Sequence, residues 1–291
     1  MRKQFRDTIT ALAALDERII MLLGDVSVYL MNDFQQRYPD RFYNLGICEN
    51  SIISIAAGLG SQGFIPFAHT IAPFITERSY EQIKLDLCYN QFGGSIVSCG
   101  ASFDYAWDGA THHTYTDLAI LRLLPGCDVL QPGSRKELDV LMRSQYTSGR
   151  TTYYRLSDHP HSIDLPVKFG KGVALKDCGA PVTVMTAGPL LRNVLEACKD
   201  LEVNFVYFHT IKPIDRELIT KFANTKILVI HDAFGLHEAI NEVPGLRTYY
   251  HGLPDAFCGW YGRLEDIRTK LGLDVQGIRT RVQRALSSEK G

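Results

Sequence analysis

Short apolar runs alternate along the chain with segments in which apolar residues recur every three or four positions. A helical pattern from Lys3 to Asp16 precedes the wholly apolar run Ile19 to Leu23, which is typical of a buried parallel strand. The alternation predicts further strands at Phe42 to Leu45, Phe64 to Ala68, Ser95 to Cys99, Asp128 to Gln131 and Thr151 to Tyr154, and helices at Ser51 to Gln62, Phe74 to Cys88 and Ser134 to Tyr146.

Periodicity is lost from His159 to Lys176, where prolines and glycines indicate a linker. The alternation of predicted strands and helices then resumes. Strands are predicted near Val182 to Thr186, Asn204 to Phe208 and Lys226 to His231, and helices near Leu190 to Lys199, Asp215 to Phe222 and Val275 to Ser287. The pattern predicts an α/β fold of two doubly wound, mainly parallel-sheet domains, at residues 1–160 and 177–291.

Composition narrows the function to small-molecule chemistry or protein contact. The chain has 291 residues, 45% of them hydrophobic, and a formal net charge of -1 with dispersed charges. This distribution does not favour nucleic acid or an anionic membrane surface. No apolar run approaches the ~18 residues of a membrane span, so we expect a cytoplasmic protein. The seven scattered cysteines form no CxxC pair and are expected to be reduced.

Unusual residues follow the predicted strands, where open parallel sheets bind ligands. Asp25 follows the first strand, and Glu49 follows the second strand at the start of an apolar helix. Glu49 is either a helix-capping carboxylate or a group that shares a proton with a ligand nitrogen. After the third strand, Ile71 and Phe74 either pack in the core or form a platform for an aromatic ring.

The loop after the fourth strand has a density of polar and aromatic residues that a simple turn does not require. It contains Asp104, Asp108, His112 and His113. A metal site is one interpretation, but no helical His-x-x-x-His pair accompanies the cluster. Substrate handling is the favoured interpretation.

In combination, these segments resemble the pyrimidine-binding and C-terminal domains of transketolases over essentially the whole chain. The resemblance rests on four segments that occur in the family's order: IIMLLGDV, YPDRFYNLGICENSIISIAAGLGSQGFIPFAHTIAPF, DGATHH and FHTIKPIDRELI. It implies a thiamine diphosphate cofactor and transfer of a two-carbon ketol fragment from a ketose to an aldose.

The resemblance implies roles for four cofactor-side residues. Glu49 corresponds to the glutamate that hydrogen-bonds N1′ of the aminopyrimidine and so activates the cofactor. Phe74 matches an aromatic residue of the pyrimidine pocket. Ile71 stands where transketolases place the main stacking Phe, so that contact is expected to lack ring stacking. Asp25 matches an aspartate near the thiazolium.

On the substrate side, the resemblance implies that Asp108 and His112 hydrogen-bond sugar hydroxyls near the reacting carbon. His69 is also expected among the substrate-binding residues. Arg2 matches one of the arginines that hold the acceptor phosphate in transketolases. Asp158 replaces the second arginine and would repel a phosphate there.

The Ser of the same phosphate set is replaced by Tyr29. We therefore expect a sugar without a terminal phosphate, or one with a bulky substituent such as a nucleotide. Arg155 and His161 leave open an altered phosphate site.

Transketolases bind the diphosphate and Mg²⁺ through an N-terminal domain with a Gly-Asp-Gly motif, which does not occur in this sequence. We expect a partner subunit to supply those ligands, in an α2β2 assembly. Two alternatives remain: a decarboxylating subunit of the deoxyxylulose-phosphate synthase or 2-oxoacid dehydrogenase β type, and a catalytically silent regulatory subunit.

Overall fold

Two sheets organise the computed structural model, which describes residues 1–287. Residues 288–291, the end of the second predicted domain, lie outside the described part. The strands are β1 Ile19–Leu23, β2 Phe42–Asn44, β3 Ile65–Ile71, β4 Gly94–Cys99, β5 Cys127–Leu130, β6 Thr151–Arg155, β7 Val173–Lys176, β8 Val182–Ala187, β9 Asn204–Phe208, β10 Thr210–Lys212, β11 Lys226–Ile230 and β12 Arg247–His251.

The larger sheet has the order β10-β5-β6-β4-β3-β1-β2, and the smaller has the order β12-β11-β8-β9-β7. Neighbouring strands are parallel except for β10 against β5 and β7 against β9. The predicted fold class, two mainly parallel doubly wound sheets, is therefore confirmed.

Helices cover both faces of the sheets. They are α1 Arg2–Ala13, α2 Asn32–Arg37, α3 Glu49–Ser61, α4 Tyr80–Gln82, α5 Asp117–Arg122, α6 Arg135–Gln145, α7 Leu191–Cys198, α8 Arg216–Lys221, α9 Leu236–Asn241, α10 Leu264–Leu271 and α11 Val275–Ser287. The segment predicted as one helix from Phe74 to Cys88 instead contains π-helical turns at Phe74–Arg78 and Ile83–Tyr89 on either side of α4.

Burial on both faces explains why β1 is wholly apolar. Successive side chains of a strand point to opposite faces, so Met21 packs in the cluster beneath α1 and α6, whereas Leu22 packs in the cluster beneath α3. Both side chains are fully buried. The larger sheet is thus held between two helical layers, as the wholly apolar run predicts.

The two sheets share chain segments across the predicted domain boundary. Strand β10 lies beyond residue 177 in sequence but pairs with β5 of the first sheet. Strand β7 falls within the predicted linker, yet it forms the edge of the second sheet. The second sheet therefore begins earlier than residue 177. The sequence pattern did not predict β7 because this short strand alternates in burial and lacks the long apolar run of a central strand.

All seven cysteines lie within residues 1–287 and are free. Five are buried, while Cys48 and Cys178 are exposed. In the described part of the chain, none of the helices combines the length and apolar character needed to cross a bilayer.

Candidate active site

The carboxyl ends of the parallel strands bring the candidate residues to one edge of the larger sheet. The chain leaves β1 for β2 on one side and leaves β3 for β4 on the other, so the connections after the adjacent strands β1 and β3 diverge at this point of the edge. Such a topological switch point is where open α/β sheets bind ligands. Glu49 begins α3 after β2, and Phe74 follows β3.

Glu49 is a buried carboxylate with one oxygen bound and the other unpaired. The residue is 1% exposed, and its Oε2 accepts a hydrogen bond from Nη1 of Arg78 at 2.7 Å. Oε1 is buried without a hydrogen-bond partner among the described residues. The N-cap of α3 is Cys48, and no side chain caps that helix end. The carboxylate thus does not cap the helix, and its Oε1 is a buried acceptor whose need for a partner is not met within the described residues.

Arg78 connects Glu49 to the aromatic side of the site. Its guanidinium carbon lies 4.4 Å from the ring centroid of Phe74, in cation–π geometry. The half-buried Phe74 ring meets the ring of His112 edge to face, with centroids 5.2 Å apart. Continuous contact therefore runs from Glu49 through Arg78 and Phe74 to His112. Sequence reasoning missed Arg78, although its spacing of four residues from Phe74 in a predicted helix was a signal.

Ile71 and Asp25 lie at the ends of neighbouring strands. Ile71 is the last residue of β3 and is half-buried. Asp25 is exposed with φ +66°, and its Oδ1 accepts a hydrogen bond from Nδ2 of Asn44 at 2.8 Å. In return, the main-chain N–H of Asp25 donates to Oδ1 of Asn44 at 3.0 Å. Asn44, which the sequence did not single out, therefore orients the Asp25 side chain.

The polar residues of the loop after β4 separate into two pairs. Asp108 is exposed and His112 is half-buried, and they flank the short 3-10 turn Gly109–Thr111. Asp104 and His113 are buried instead. The first pair faces accessible space, as substrate handling requires, and the second pair holds the loop in place.

The contacts of the buried pair show how the loop is anchored. Asp104 accepts hydrogen bonds from the Ser157 hydroxyl at 2.9 Å and the Asp158 main-chain N–H at 2.8 Å. Burial raises the pKa of Asp104 to about 7, an effect to which the charge of Asp158 adds. Nδ1 of His113 donates to the carbonyl of Cys258 at 3.0 Å, which ties the loop to the second domain.

His69 is fully buried in β3 and is held in one neutral tautomer. Burial lowers the pKa of His69 to about 4. Its Nδ1–H donates to the Val97 carbonyl at 2.7 Å, so Nε2 accepts from the Ser27 hydroxyl at 3.0 Å. A substrate would have to displace Ser27 to reach Nε2.

The predicted phosphate-side residues are occupied within the protein. Arg2 binds Asp158 through two hydrogen bonds, of 3.3 and 3.1 Å. Arg155, which the resemblance leaves open as a substrate residue, also has partners within the protein. That residue is 1% exposed, and its three guanidinium nitrogens bind Asp117, Ser102 and the Thr114 carbonyl.

Two further phosphate-side residues differ in exposure. His161 is buried against Tyr207, with a ring nitrogen 3.4 Å from the Tyr207 hydroxyl, whereas Tyr29 is 98% exposed. Neither Arg155 nor His161 therefore offers a free cation to a phosphate. Within residues 1–287, no group of three or more His, Cys, Asp or Glu side chains is placed to hold a metal ion.

Comparisons with known proteins agree on one family. Residues 1–157 match the model of the transketolase pyrimidine binding domain. The chain is 30% identical to a subunit of the apulose-4-phosphate transketolase of Phocaeicola vulgatus, over 95% of this chain and 94% of that protein. It is 29% identical to the 1-deoxy-D-xylulose-5-phosphate synthase of Thermus thermophilus, over 94% of this chain but 46% of that enzyme.

The fold of the whole chain also matches a solved structure. A split-gene transketolase, described as an inactive β4 tetramer, superposes with a TM-score of 0.86 at 28% identity and covers 98% of both chains. Together with the buried glutamate at the switch point, these matches show that the chain belongs to the transketolase family of thiamine diphosphate-dependent enzymes, as a subunit equivalent to the C-terminal half.

Proposed function

We propose that the protein is the pyrimidine-binding subunit of a transferase that moves a two-carbon ketol unit from a ketose to an aldose. The observation that carries this proposal is the unpaired, buried Oε1 of Glu49 at the switch point of the sheet. A buried acceptor without a partner costs free energy, which a ligand nitrogen sharing a proton with the carboxyl would recover. The aminopyrimidine of thiamine diphosphate has such a nitrogen.

The remaining cofactor contacts are apolar or partly exposed. Phe74, which contacts the Arg78 partner of Glu49, and Ile71, at the end of β3, would hold the pyrimidine by dispersion, with Phe74 alone providing an aromatic ring. Asp25, oriented by Asn44, would lie on the thiazolium side. When bound, the cofactor supplies the reactive carbon and an electron sink. This chain contributes the proton-sharing carboxyl and the walls of the pocket.

Asp108 and His112 would bind substrate hydroxyls near the reacting carbon. His112 uses Nδ1 in a contact with the Thr111 hydroxyl at 2.9 Å, and no hydrogen bond from its Nε2 is made to the described residues. The Asp108 carboxylate is exposed at the same turn. A carboxylate that accepts hydrogen bonds beside an imidazole that donates or accepts them suits a substrate with several hydroxyl groups.

The acceptor sugar would lack a phosphate at the position used by transketolases, or would carry a bulky substituent there. The support is the ion pair between Arg2 and Asp158, which neutralises the one arginine that matches the family's phosphate set. The buried positions of Arg155 and His161 add to this argument, because neither side chain replaces the missing cation.

A partner subunit would supply the Mg²⁺ and diphosphate ligands, in a cytoplasmic α2β2 assembly. Two relatives support this proposal by their names: one is a subunit of a transketolase, and the other is an inactive β4 tetramer of a split-gene transketolase. Calorimetry should compare the binding of thiamine diphosphate with Mg²⁺ to this chain alone and to its mixture with the subunit encoded beside it. Tight binding only in the mixture supports a split site, and tight binding to this chain alone contradicts it.

Substitution of Glu49 separates an enzyme subunit from a silent one. In the assembled complex, Glu49→Gln should remove nearly all turnover, because Gln cannot share a proton with the cofactor nitrogen. Glu81→Gln is a matched control, since Glu81 is an exposed carboxylate on α4. Full activity of the Glu49 variant would favour a regulatory subunit instead.

Decarboxylating chemistry is a second candidate, and the deoxyxylulose-phosphate synthase relative, which matches 94% of this chain, favours it. The two reactions differ in the donor. A ketol transferase should transfer two carbons from a ketose without gas release, whereas a decarboxylating enzyme should release CO₂ from pyruvate. Turnover with pyruvate and an aldehyde, but not with ketose donors, would decide for the second candidate.

A further inference from the structure

Arg78 is held from two sides by successive residues of α3. Glu49 accepts from its guanidinium at 2.7 Å, and Nδ2 of Asn50 donates to its main-chain carbonyl at 3.0 Å and to Oε1 of Gln82 at 2.8 Å. Arg78 is the last residue of a π-helical turn. Such turns leave carbonyls that need other donors, and they occur frequently at functional sites. The start of α3 is therefore tied to both the main chain and the side chain of one arginine.

The Phe74 ring restricts the guanidinium further. The centroid of the Phe74 ring lies 4.4 Å from the guanidinium carbon of Arg78, and both residues belong to the same π-helical turn. The Arg78 side chain is 46% exposed, whereas that of Glu49 is 1% exposed. The cation therefore lies at the mouth of the site and covers a carboxylate in its interior.

We infer that Arg78 is a positioning residue that orients the Glu49 carboxyl for the cofactor. A carboxyl group that rotates about its Cγ–Cδ bond can exchange its two oxygens. The contact from Arg78 holds Oε2 and leaves Oε1 as the oxygen available to a ligand. This inference rests on the proposed function, and it adds a residue that acts through Glu49 rather than on the substrate.

The test uses the assembled complex with thiamine diphosphate and Mg²⁺ as the probe, so that no sugar has to be identified. The readouts are the dissociation constant of the cofactor by calorimetry and the exchange of its thiazolium C2 proton for deuterium by NMR. Arg78→Gln should slow the exchange about tenfold to a hundredfold, the effect of losing one charge-assisted hydrogen bond. Arg78→Lys keeps the charge without the planar fork, so its exchange rate should fall between those of Arg78→Gln and the wild type.

Chemical rescue distinguishes positioning from a structural role. Guanidinium chloride at millimolar concentration should restore part of the exchange rate in Arg78→Ala, because the free cation can occupy the same place between Phe74 and Glu49. Arg143→Gln is the matched control: its side chain is 44% exposed and pairs with Asp139 at 2.9 Å. That variant should exchange at the wild-type rate.

Two outcomes separate this inference from the proposed function. If Glu49→Gln abolishes exchange while Arg78→Gln exchanges at the wild-type rate and Arg78→Ala gains nothing from guanidinium, the inference about Arg78 is overturned and the proposed function stands. If Glu49→Gln also exchanges normally, the proposed function itself fails. Should Arg78→Gln not assemble, Arg78→Lys provides the comparison, and a rate equal to that of the wild type would count against positioning by the fork.

Discussion

Arg2 and Asp158 lie 156 residues apart in sequence, yet they form a two-point ion pair in which Nε of Arg2 is 3.3 Å from Oδ1 and Nη2 is 3.1 Å from Oδ2 of Asp158. Both side chains are about one third exposed, so the pair is open to a ligand. The carboxylate neutralises the charge of the arginine that the resemblance to transketolases assigns to a phosphate. Asp158 is thus the residue through which substrate charge can be tested.

Asp158→Arg should introduce a preference for phosphorylated aldoses. The substitution removes the carboxylate, releases Arg2 and places a second cation beside it, as bidentate recognition of phosphate requires. The KM for a phosphorylated acceptor should fall about tenfold, which corresponds to one good charged contact. Asp164→Arg, at another exposed aspartate, is the control. If a phosphorylated aldose is already the better acceptor of the wild-type complex, the assignment of substrate charge is wrong.

Ile71→Phe should tighten the binding of thiamine diphosphate. Ile71 is half-buried at the end of β3, and a ring there would add stacking to the dispersion contact proposed for this position. Aromatic pairs contribute about 0.5–1.5 kcal/mol beyond their buried area, so the dissociation constant should decrease about twofold to tenfold. Calorimetry on the complex measures it. Ile71→Leu, which keeps the size without the ring, should leave the affinity nearly unchanged, and an equal gain in both variants would argue against stacking.

Gly109→Ala should disturb the loop that presents Asp108 and His112. Gly109 has φ +73°, and a Cβ there would overlap the ring of Tyr261 from the second domain. The left-handed conformation costs a non-glycine residue about 1–2 kcal/mol, before the Tyr261 ring is displaced. The thermal unfolding temperature and the turnover rate should both fall.

Gly63→Ala is the control for Gly109, because Gly63 has φ +84° and no atom within 4 Å of its ideal Cβ. It should show the conformational cost alone. Activity that is lost equally in both variants would mean that the contact between Gly109 and Tyr261 has no influence on the site.

Asp104 should make the protein less stable as the pH rises towards neutrality. Burial raises its pKa from 3.8 to about 7, so the folded state binds a proton that the unfolded state releases. The stabilising contribution is complete below pH ~4 and is lost as the pH rises through ~7, with a slope of at most about 1.4 kcal/mol per pH unit. In denaturant unfolding across this range, the stability of the wild type relative to Asp104→Asn should fall with rising pH. A constant difference would contradict the assignment.

Local pattern predicted the long buried elements and the residues at their ends, but not the short or partly exposed strands β7, β10 and β12. The run Ile19 to Leu23 predicted β1 at its observed bounds, since a strand buried on both faces has to be continuously apolar. Glu49 was located at the start of α3 because strand ends and helix starts have their own residue signals. The π-helical turn at Phe74–Arg78 was not predictable in this way, because one extra residue per turn leaves the apolar spacing nearly unchanged.

The sequence by itself determined the α/β alternation, the order of the strand-end residues and the family to which they belong. Only the tertiary structure decided which of the polar residues remain available. Arg155 became a buried partner of Asp117, Arg2 was neutralised by Asp158, and β10 joined the sheet of the other domain. The physical reason is the sequence separation of the residues involved. The period of a helix or strand is set by residues close together in sequence, whereas an ion pair depends on which distant side chains the packed sheets bring within a few ångströms.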